Sequence, residues 1–262
     1  MPDCFIEQSV TTAVYSLPIA QGWVEPTTSF MLERYLTAEV VRSRGLPALL
    51  DAVEATQLAN EFVVIADVAL VSQHTSGVAM QTSGRPDTLD EVSVALDSVS
   101  LTAEALARAT VTPFYGIGVT AWSRSSEHGP VTILEDDEAL AQPLSERMHD
   151  LGRAWFILSS LPFPSHVLVA PRRMLAEQEE ALRLLVRELH AAREAAMARP
   201  GELLEQLMGE HALNRERVNA LLADQTHRLT QRARSGLREL LHRTGRDLGV
   251  PSIDAVEIVS LS

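Results

Sequence analysis

Three hydroxyl side chains, Ser98, Ser100 and Thr102, stand at one predicted turn from a strand into a helix. The strand is predicted over Val92–Leu96, and the helix begins within the hydroxyl-bearing segment itself. Unpaired backbone N–H groups in the first turn of a helix, together with hydroxyls, can bind a carboxylate. The alternative is ordinary helix capping by Ser98 or Ser100, which stabilises a helix by about 0.5–2 kcal/mol without any ligand.

Two titratable side chains stand beside predicted strands, where either of them can transfer a proton. Tyr15 follows the short predicted strand Thr11–Val14, and His166 precedes the apolar strand Val167–Ala170. A tyrosine hydroxyl donates hydrogen bonds and has an ordinary pKa near ~10, whereas histidine titrates close to neutral pH. An aromatic plug at a strand end explains Tyr15 equally well, and a hydrogen-bonded packing residue explains His166.

The chain offers three weaker polar candidates. Ser76 precedes the extended segment Gly77–Gln81, Thr56 lies in a helix-like context, and Asp137 belongs to the acidic run Leu134–Leu140. A solvated strand end explains Ser76 without a ligand, and a solvated loop explains Asp137. Carboxylates of the run can also bind a metal ion, but the sequence shows no second set of ligands to support this.

Composition excludes several classes of site. All 22 basic side chains are arginine, which excludes a Schiff-base lysine, a P-loop lysine and a Ser–Lys dyad. Cys4 is the only cysteine, and the eight histidines lack zinc-site spacing, so we expect no disulfide, no metal and no cofactor. The net charge of −13 argues against nucleic acid as a partner. Arginines and backbone amides remain to bind an anionic substrate.

Length and hydropathy set the scale of the molecule. The 262 residues are 46% hydrophobic, which is enough for one large or two medium domains with real cores. No stretch is long and apolar enough to predict a membrane span, and the segment Met1–Glu7 lacks the regions of a secretory signal. We therefore expect a cytoplasmic protein that does not bind membranes.

The pattern of elements predicts the fold class. Strands alternate with helices up to Ala170 and only helices follow from Met174 onward, which is typical of an α/β fold with largely parallel sheets. The apolar run Phe62–Val71 predicts a strand buried on both faces, and the apolar spacing in Pro47–Asn60 predicts a helix. The pattern alone leaves open whether the elements form one domain or two lobes.

One longer segment carries a resemblance to a known family. Asp150–Ala170, with the sequence DLGRAWFILSSLPFPSHVLVA, together with Val94–Ser98 resembles the chorismate dehydratase family of the futalosine route to menaquinone. That family has the bilobed fold of type II periplasmic binding proteins. The resemblance therefore implies two α/β lobes with a ligand cleft between them. It implies a first lobe of residues 1–84 and 167–262, which includes the C-terminal helices, and a second lobe of residues 85–166.

The resemblance also implies roles for the polar candidates. Val14–Gly22 is similar to a family turn whose asparagine contacts the substrate, and Tyr15 stands at that asparagine, which implies a catalytic role for its hydroxyl. The substrate-binding residues that it implies are Thr56, Ser76, Ser98, Ser100, Thr102, Asp137 and His166. Leu101 departs from the pattern, because an arginine is common at that position.

The implied function is that of a lyase that removes water from chorismate and yields 3-[(1-carboxyvinyl)oxy]benzoate. Formation of an aromatic ring supplies much of the driving force, so the protein mainly has to orient the substrate and stabilise developing charge. The alternative is a binding protein of the same fold that captures a small carboxylate without chemistry. Tyr15, Leu101 and the acidic pair Glu135-Asp136 favour this alternative. We expect a small anionic partner, and the sequence leaves a homodimer open.

Overall fold

The computed structural model describes residues 3–96, 98–124, 129–210 and 212–261. These residues form two β-sheets, each the centre of one lobe of a two-lobed α/β fold. Asp97 of the family-like motif lies outside the described residues, as do Met1 and Ser262 at the ends of the predicted first lobe. No helix within the described ranges has the length and apolar character needed to cross a bilayer.

The first lobe is built on a six-stranded sheet. Its strands are β1 (Asp3–Glu7), β2 (Ser29–Glu33), β3 (Ala48–Asp51), β4 (Phe62–Ser72), β10 (Phe163–Pro171) and β11 (Ile258–Val259), in the order β11-β4-β10-β3-β1-β2. β1 is parallel to both of its neighbours, whereas β10 is antiparallel to β3 and β4. The strand predicted over Phe62–Val71 is confirmed, because β4 is buried along its whole length.

The second lobe is built on a five-stranded sheet. Its strands are β5 (Val78–Thr82), β6 (Glu91–Ala95), β7 (Gly118–Ser123), β8 (Val131–Glu135) and β9 (Met148–Asp150), in the order β7-β6-β8-β5-β9. β6 is parallel to β7 and β8, whereas β5 is antiparallel to β8 and β9. Both sheets are therefore mixed, which differs from the largely parallel sheets that the sequence predicts.

Helices cover both sheets. They are α1 (Ala13–Ala20), α2 (Ala38–Arg44), α3 (Ala52–Thr56), α4 (Leu101–Tyr115), α5 (Asp136–Leu140), α6 (Leu151–Ser159), α7 (Arg172–Glu177), α8 (Glu179–Ala198), α9 (Pro200–Glu210), α10 (Arg215–Asp224) and α11 (Gln231–Leu248). Two short 3-10 turns, Pro86–Thr88 and Ile253–Ala255, complete the fold. Trp155 of α6 and Phe163 at the start of β10 are almost completely buried and anchor the core where the lobes join.

The chain crosses between the lobes at positions that differ from the predicted boundaries. It leaves the first sheet after β4 and enters the second at β5, so the outward crossing lies at residues 73–77 rather than near residue 84. It returns between α6 and β10, at residues 160–162 rather than near residue 166. Strand pairing is the physical reason, because β5 bonds to β8 and β9 while β10 bonds to β3 and β4.

The C-terminal helices do not pack on the first lobe alone. α8 packs against α1 and β4 in the first lobe, whereas α11 contacts β10 and also α4 of the second lobe. Gly236 of α11 passes so close to the carbonyl oxygen of Pro162 that any side chain there would clash. Leu237 and Leu240 of α11 and Leu106 of α4 belong to one hydrophobic core that extends across both lobes. Apolar side chains therefore fill one side of the region between the lobes.

Three local predictions are wrong. The sequence predicts only helices from Met174 onward, but Ile258–Val259 form β11, which pairs with β4. The other two concern helix starts. The predicted strand Thr11–Val14 instead enters α1 at Ala13, after a turn in which Thr12 is the N-cap residue. The predicted helix over Pro47–Asn60 is divided into β3 and α3 at Asp51, whose carboxylate accepts hydrogen bonds from the backbone N–H groups of Val53 and Glu54. A short apolar segment suits a buried strand and a buried helix equally, so periodicity could not separate the two.

Candidate active site

A cavity of about 950 Å³ lies between the two lobes. The first lobe contributes one face of α1, the loop after β2, and side chains from the ends of β1 and β3. The second lobe contributes the turn before α4 and the segment from the end of β8 into α5. Ligands of open α/β sheets bind beyond the carboxyl ends of the strands, which is where this cavity lies.

Carboxyl groups dominate the cavity wall. The first lobe contributes Glu7, Asp51, Glu54 and Glu210, and the second lobe contributes all four acidic residues at positions 135–138. The arginines among the described lining residues are Arg34 and Arg124. The chemistry of the site therefore depends on which of these carboxyl groups carry a charge and which are already bound by the protein.

Asp51 connects the two lobes. Its carboxylate accepts the Val53 N–H at 2.7 Å at the start of α3, and it accepts the Thr102 N–H at 2.9 Å at the start of α4. The Thr102 hydroxyl also donates to Asp51, and it accepts a hydrogen bond from the Val53 N–H at 2.9 Å. The first turns of two helices from different lobes thus converge on one buried carboxylate.

Asp136 forms a second connection between the lobes. Its carboxylate accepts the backbone N–H groups of Val10 at 2.8 Å and Thr11 at 3.0 Å, and the Thr11 hydroxyl at 3.2 Å. Burial raises the pKa of Asp136, and the hydrogen bonds from Val10 and Thr11 oppose that shift. The backbone of Asp136 has a positive φ of 53°, which turns the chain from β8 into α5.

Glu135 occupies the hydroxyl-rich turn before α4. It accepts the Ser100 N–H at 2.6 Å and the Ser100 hydroxyl at 2.8 Å, and the same hydroxyl accepts the Ala103 N–H at 3.0 Å as the helix cap. Burial raises the pKa of Glu135 from its usual 4.5 to about 8, and the negative charge of Asp51 raises it further, while the bonds from Ser100 oppose the shift. Glu135 is therefore largely protonated at neutral pH.

His166 faces the cavity from β10, where it pairs in register with Asp51 of β3. Its Nε2 atom lies 3.6 Å from a carboxyl oxygen of Glu7, and its Nδ1 atom lies 3.2 Å from the hydroxyl of Ser165. Burial lowers the pKa of His166 to about 4 and raises the pKa of Glu7 well above its usual value. The imidazole is consequently a neutral base at neutral pH, beside a carboxyl group that resists ionisation.

No three histidine, cysteine, aspartate or glutamate side chains of the described ranges are grouped so that they could hold a metal ion. The carboxyl groups of the cavity are instead bound by backbone N–H groups and hydroxyls, as at Asp51, Asp136 and Glu135. These contacts equip the cavity for proton transfer and for hydrogen bonding.

Comparison with known proteins decides the family. Residues 47–246 match the family described as menaquinone biosynthesis, that of the chorismate dehydratases. The chain belongs to this family. A search of curated protein sequences finds no match to the chain.

Solved structures show the same fold at low sequence identity. A protein from Archaeoglobus fulgidus is 13% identical with a TM-score of 0.69, over 94% of this chain and 98% of that one. The periplasmic aliphatic sulphonate binding protein of Escherichia coli is 12% identical with a TM-score of 0.66, over 96% and 95%. An alkanesulfonate-binding protein of Xanthomonas axonopodis pv. citri, bound to MOPS, is 10% identical with a TM-score of 0.68, over 98% of both chains. The two-lobed fold of type II periplasmic binding proteins is thereby confirmed for this member of the menaquinone biosynthesis family.

Four of the predicted site residues line the cavity, namely Ser98, Ser100, Asp137 and His166. Ser98 has a positive φ of 54° at the turn before α4, and Asp137 is exposed in the first turn of α5, where its carboxylate accepts the Glu138 N–H at 2.9 Å. Thr102 is close by but buried, and its hydroxyl and N–H are bound to Asp51. Carboxyl groups of the protein itself are bound at the turn before α4, and anion binding there by a ligand stays a prediction.

The structure does not bring Tyr15 to the cavity. Tyr15 is completely buried, its hydroxyl lies 3.5 Å from the carbonyl oxygen of Ala69 in β4, and its ring packs edge-on against His227. Because this segment is helical, Ser16 and Leu17 face the cavity while Tyr15 points towards the sheet. The predicted catalytic role of Tyr15 is corrected on this ground.

Thr56 and Ser76 also lie away from the cavity lining. The Thr56 hydroxyl is buried and donates to the carbonyl oxygen of Val53 within α3. Ser76 is buried at the outward crossing, where its hydroxyl bonds to Val78 and to the carboxylate of Asp150. Both predicted substrate contacts are replaced by structural hydrogen bonds.

Sequence reasoning missed the carboxyl groups of the cavity wall. Glu7, Asp51 and Glu135 are each the last residue of a strand, which is a signal that the sequence contained once the strands are placed correctly. The interpretation of the acidic run as a solvated loop holds for Asp137, which is exposed. It fails for Asp136, whose carboxylate is bound to the opposite lobe.

Proposed function

We propose that the protein is a hydro-lyase of menaquinone biosynthesis that removes water from chorismate and yields 3-[(1-carboxyvinyl)oxy]benzoate. One observation carries the proposal: a candidate base and a candidate acid from different lobes line the same cavity. The base is His166, with a pKa lowered to about 4, and the acid is Glu135, with a pKa raised to about 8. Titratable groups whose environments separate their pKa values in this way are suited to acid–base catalysis.

The proposed reaction uses both groups in one elimination. The imidazole of His166 accepts a ring C–H proton, the ring C–O bond breaks, and Glu135 protonates the departing hydroxyl so that it leaves as water. A carboxyl oxygen of Glu7, 3.6 Å from His166 Nε2, lies within reach of the imidazolium that forms. After product release His166 gives its proton to solvent and solvent returns a proton to Glu135, which restores both groups. Each positioned acid or base of this kind contributes a factor of roughly 10²–10⁴ in rate.

The acidic wall is compatible with an anionic substrate because much of its charge is absent or compensated. Glu7 and Glu135 have raised pKa values, so they tend to remain neutral. Asp51 and Asp136 are ionic partners of backbone N–H groups at helix starts and turns, which disperses their negative charge. Of the two arginines among the described lining residues, Arg124 is bound to Glu104, and Arg34 remains available to the substrate.

The test is direct incubation of the purified protein with chorismate, with the aromatic product followed by chromatography. The proposal expects turnover by the wild type, a loss of about 10²-fold or more in kcat for Glu135→Gln, and a similar loss for His166→Asn. Glu146→Gln is the matched control, because Glu146 is exposed and lies outside the cavity lining. Full activity of both cavity variants would overturn the assignment.

A second substitution tests the role that the sequence assigned to Tyr15. Because its hydroxyl faces β4 and not the cavity, Tyr15→Phe should leave kcat and KM within about twofold of the wild type. A hundredfold loss in kcat, typical of a lost catalytic donor, would restore the original prediction.

The second candidate function is capture of a small carboxylate without chemistry. The observation that favours it is the similarity in fold to two sulphonate-binding proteins. A protein that binds chorismate but releases no aromatic product would decide for it. We further propose that the lyase acts in the cytoplasm as a biosynthetic enzyme. Its partner is a small anionic substrate and not nucleic acid or a membrane. A homodimer is compatible with this proposal.

A further inference from the structure

The cavity wall contains few cationic side chains, although the proposed substrate carries carboxylates. The chain contains no lysine, and His166 stays neutral because burial lowers its pKa. Arg34 and Arg124 are the arginines among the described lining residues. Among the described residues, positive charge for a substrate carboxylate in this cavity comes from one of these two side chains.

Arg124 is already committed to a partner within the protein. Its guanidinium is bound to the carboxylate of Glu104, a residue that is 5% exposed, and it donates to the carbonyl oxygen of Val99 at 3.1 Å. These bonds fix the side chain against the first turn of α4. The charge of Arg124 is thus compensated before a ligand arrives.

Arg34 differs from Arg124 in its partners. It is exposed, and it makes no hydrogen bond or ion pair with any residue in the part of the chain that the structure describes. It follows β2, an edge strand of the first sheet, and the loop is fixed just beyond it. Leu36 is buried at 3% exposure, and the Thr37 hydroxyl caps α2 by accepting the Val40 N–H. The guanidinium is therefore held near the cavity without a partner.

Tyr35, the neighbour of Arg34, also lines the cavity and is 77% exposed, more than any other large hydrophobic side chain described. Arg34 and Tyr35 thus bring a guanidinium and an aromatic ring to the same cavity wall, which matches a ligand that joins a flat unsaturated ring to a carboxylate. The guanidinium can bind both carboxylate oxygens with two parallel N–H donors, and the phenol ring can cover the face of the ligand ring.

We propose that Arg34 and Tyr35 form a carboxylate clamp at this cavity, in which Arg34 binds a substrate carboxylate through two N–H donors and Tyr35 covers the adjoining ring. The inference rests on the proposed function for the identity of the ligand. It assigns substrate selection to the loop after β2, whereas the proposed proton transfers belong to His166 and Glu135.

The test measures binding of chorismate by titration calorimetry, with every variant made in the His166→Asn background so that turnover does not interfere. Arg34→Met should weaken binding at least tenfold at low salt. Arg34→Lys should recover only part of the loss, because lysine keeps the charge but lacks the planar fork. Tyr35→Ala should weaken binding several-fold, as expected for a lost stacking contact. Arg44→Met is the matched control, since Arg44 is an exposed arginine of α2 outside the cavity lining.

The outcomes separate the clamp from the lyase. Chorismate binding that depends on Arg34, together with no product from the wild type, supports the clamp and overturns the lyase. Arg34→Met is also made in the otherwise wild-type protein, where product formation with an unchanged KM overturns the clamp and leaves the lyase intact. Equal losses in Arg34→Met and Arg44→Met indicate a general charge effect and also overturn the clamp. Unfolding midpoints of the variants should match the parent, because Arg34 makes no contacts that stabilise the fold.

Discussion

Two carboxyl groups of the second lobe, Asp150 and Glu135, occupy similar positions in the sequence pattern but differ in their hydrogen-bond partners. Each is the last residue of a strand and precedes a helix. Asp150 is 3.3 Å from the guanidinium of Arg217, and it accepts the backbone N–H groups of Ser76 and Gly152 at 3.0 and 2.9 Å. The hydrogen bonds that Glu135 receives come from a single serine, Ser100.

The number and charge of the donors decide what each carboxyl group can do. Burial raises the pKa of both, but the backbone of Ser76 and the charge of Arg217 limit the pKa of Asp150 to about 6. Without a cation bound to it, Glu135 reaches about 8. The two pKa values lie on opposite sides of neutral pH. Asp150 is therefore an ionised structural residue, whereas Glu135 keeps a proton that it can donate.

The surroundings of Asp150 and Glu135 also differ, because Asp150 lies in a closely packed region and Glu135 lines the cavity. Asp150 lies where the outward crossing at residues 73–77 meets the start of α6, a region that we call the joint. Gly152 is so near Ser76 there that an added Cβ would lie 2.9 Å from it. Asp224 of α10 secures the same joint by accepting the backbone N–H groups of residues 73–75. Glu135 lies on the wall of an open cavity. The joint uses its carboxylates to fix the chain, and the cavity keeps one available for chemistry.

The largest expected effect is on stability, and it should appear at the joint only. Asp150→Ala leaves Arg217 buried at 5% exposure without its carboxylate, which should lower the free energy of unfolding by about 3–5 kcal/mol. Glu135→Gln keeps a hydrogen-bonding partner for Ser100 and should change it by about 1 kcal/mol or less. Urea unfolding of both variants checks this. An equal loss in the two variants would break the comparison.

The next effect concerns pH and isolates Glu135. The folded protein holds a proton on Glu135 between pH 4.5 and about pH 8, where the unfolded chain has lost it. The free energy of unfolding should therefore decrease as pH rises through this window, and activity should decline above about pH 8 as the acid ionises. Glu135→Gln cannot titrate, so its stability should fall less over the same range.

Denaturant unfolding at several pH values, with the wild type and Glu135→Gln measured in parallel, gives the difference between the two slopes. Asp150 contributes equally to both proteins and cancels in that difference, whereas Glu7, whose pKa the charge of Glu135 raises, belongs to the part that the substitution changes. Parallel slopes would show that Glu135 is ionised in the folded state at neutral pH and would exclude it as the proposed acid.

The two-lobed fold could be predicted from the sequence, but the boundaries of the lobes could not. The continuous apolar run in β4 and the family-like segment Asp150–Ala170 were sufficient for two α/β lobes. The boundaries were misplaced because they depend on which strand pairs with which, and β5 is equally plausible as a strand of either sheet until its partners are known. Strand pairing is a long-range property that short sequence windows do not contain.

The site shows the same limit at the level of single residues. Ser100 and His166 were predicted because residue type and position before or after a strand were informative. Tyr15 was misassigned because one wrong element, a strand in place of α1, reverses the direction of the side chain. The partnership of Glu135 with Ser100 joins residues 35 positions apart, and no local pattern indicates it.

The smallest expected effect comes from a matched pair of serines, and it tests the comparison most closely. Ser76→Ala removes a hydroxyl that bonds to Asp150, and Ser100→Ala removes one that bonds to Glu135. Each should lower the free energy of unfolding by only about 1–2 kcal/mol, since a neutral donor or a helix cap is lost. Stability alone therefore does not distinguish the two positions.

The pH profile of the reaction should distinguish them. A hydroxyl that donates to a carboxylate favours its ionised form, so loss of the Ser100 hydroxyl should raise the pKa of Glu135 further. The alkaline limit of kcat should then move to higher pH in Ser100→Ala, return in Ser100→Thr, which keeps a hydroxyl, and remain unchanged in Ser76→Ala. If both alanine variants shift the limit equally, the joint and the cavity are electrostatically coupled, and the division of roles between Asp150 and Glu135 fails.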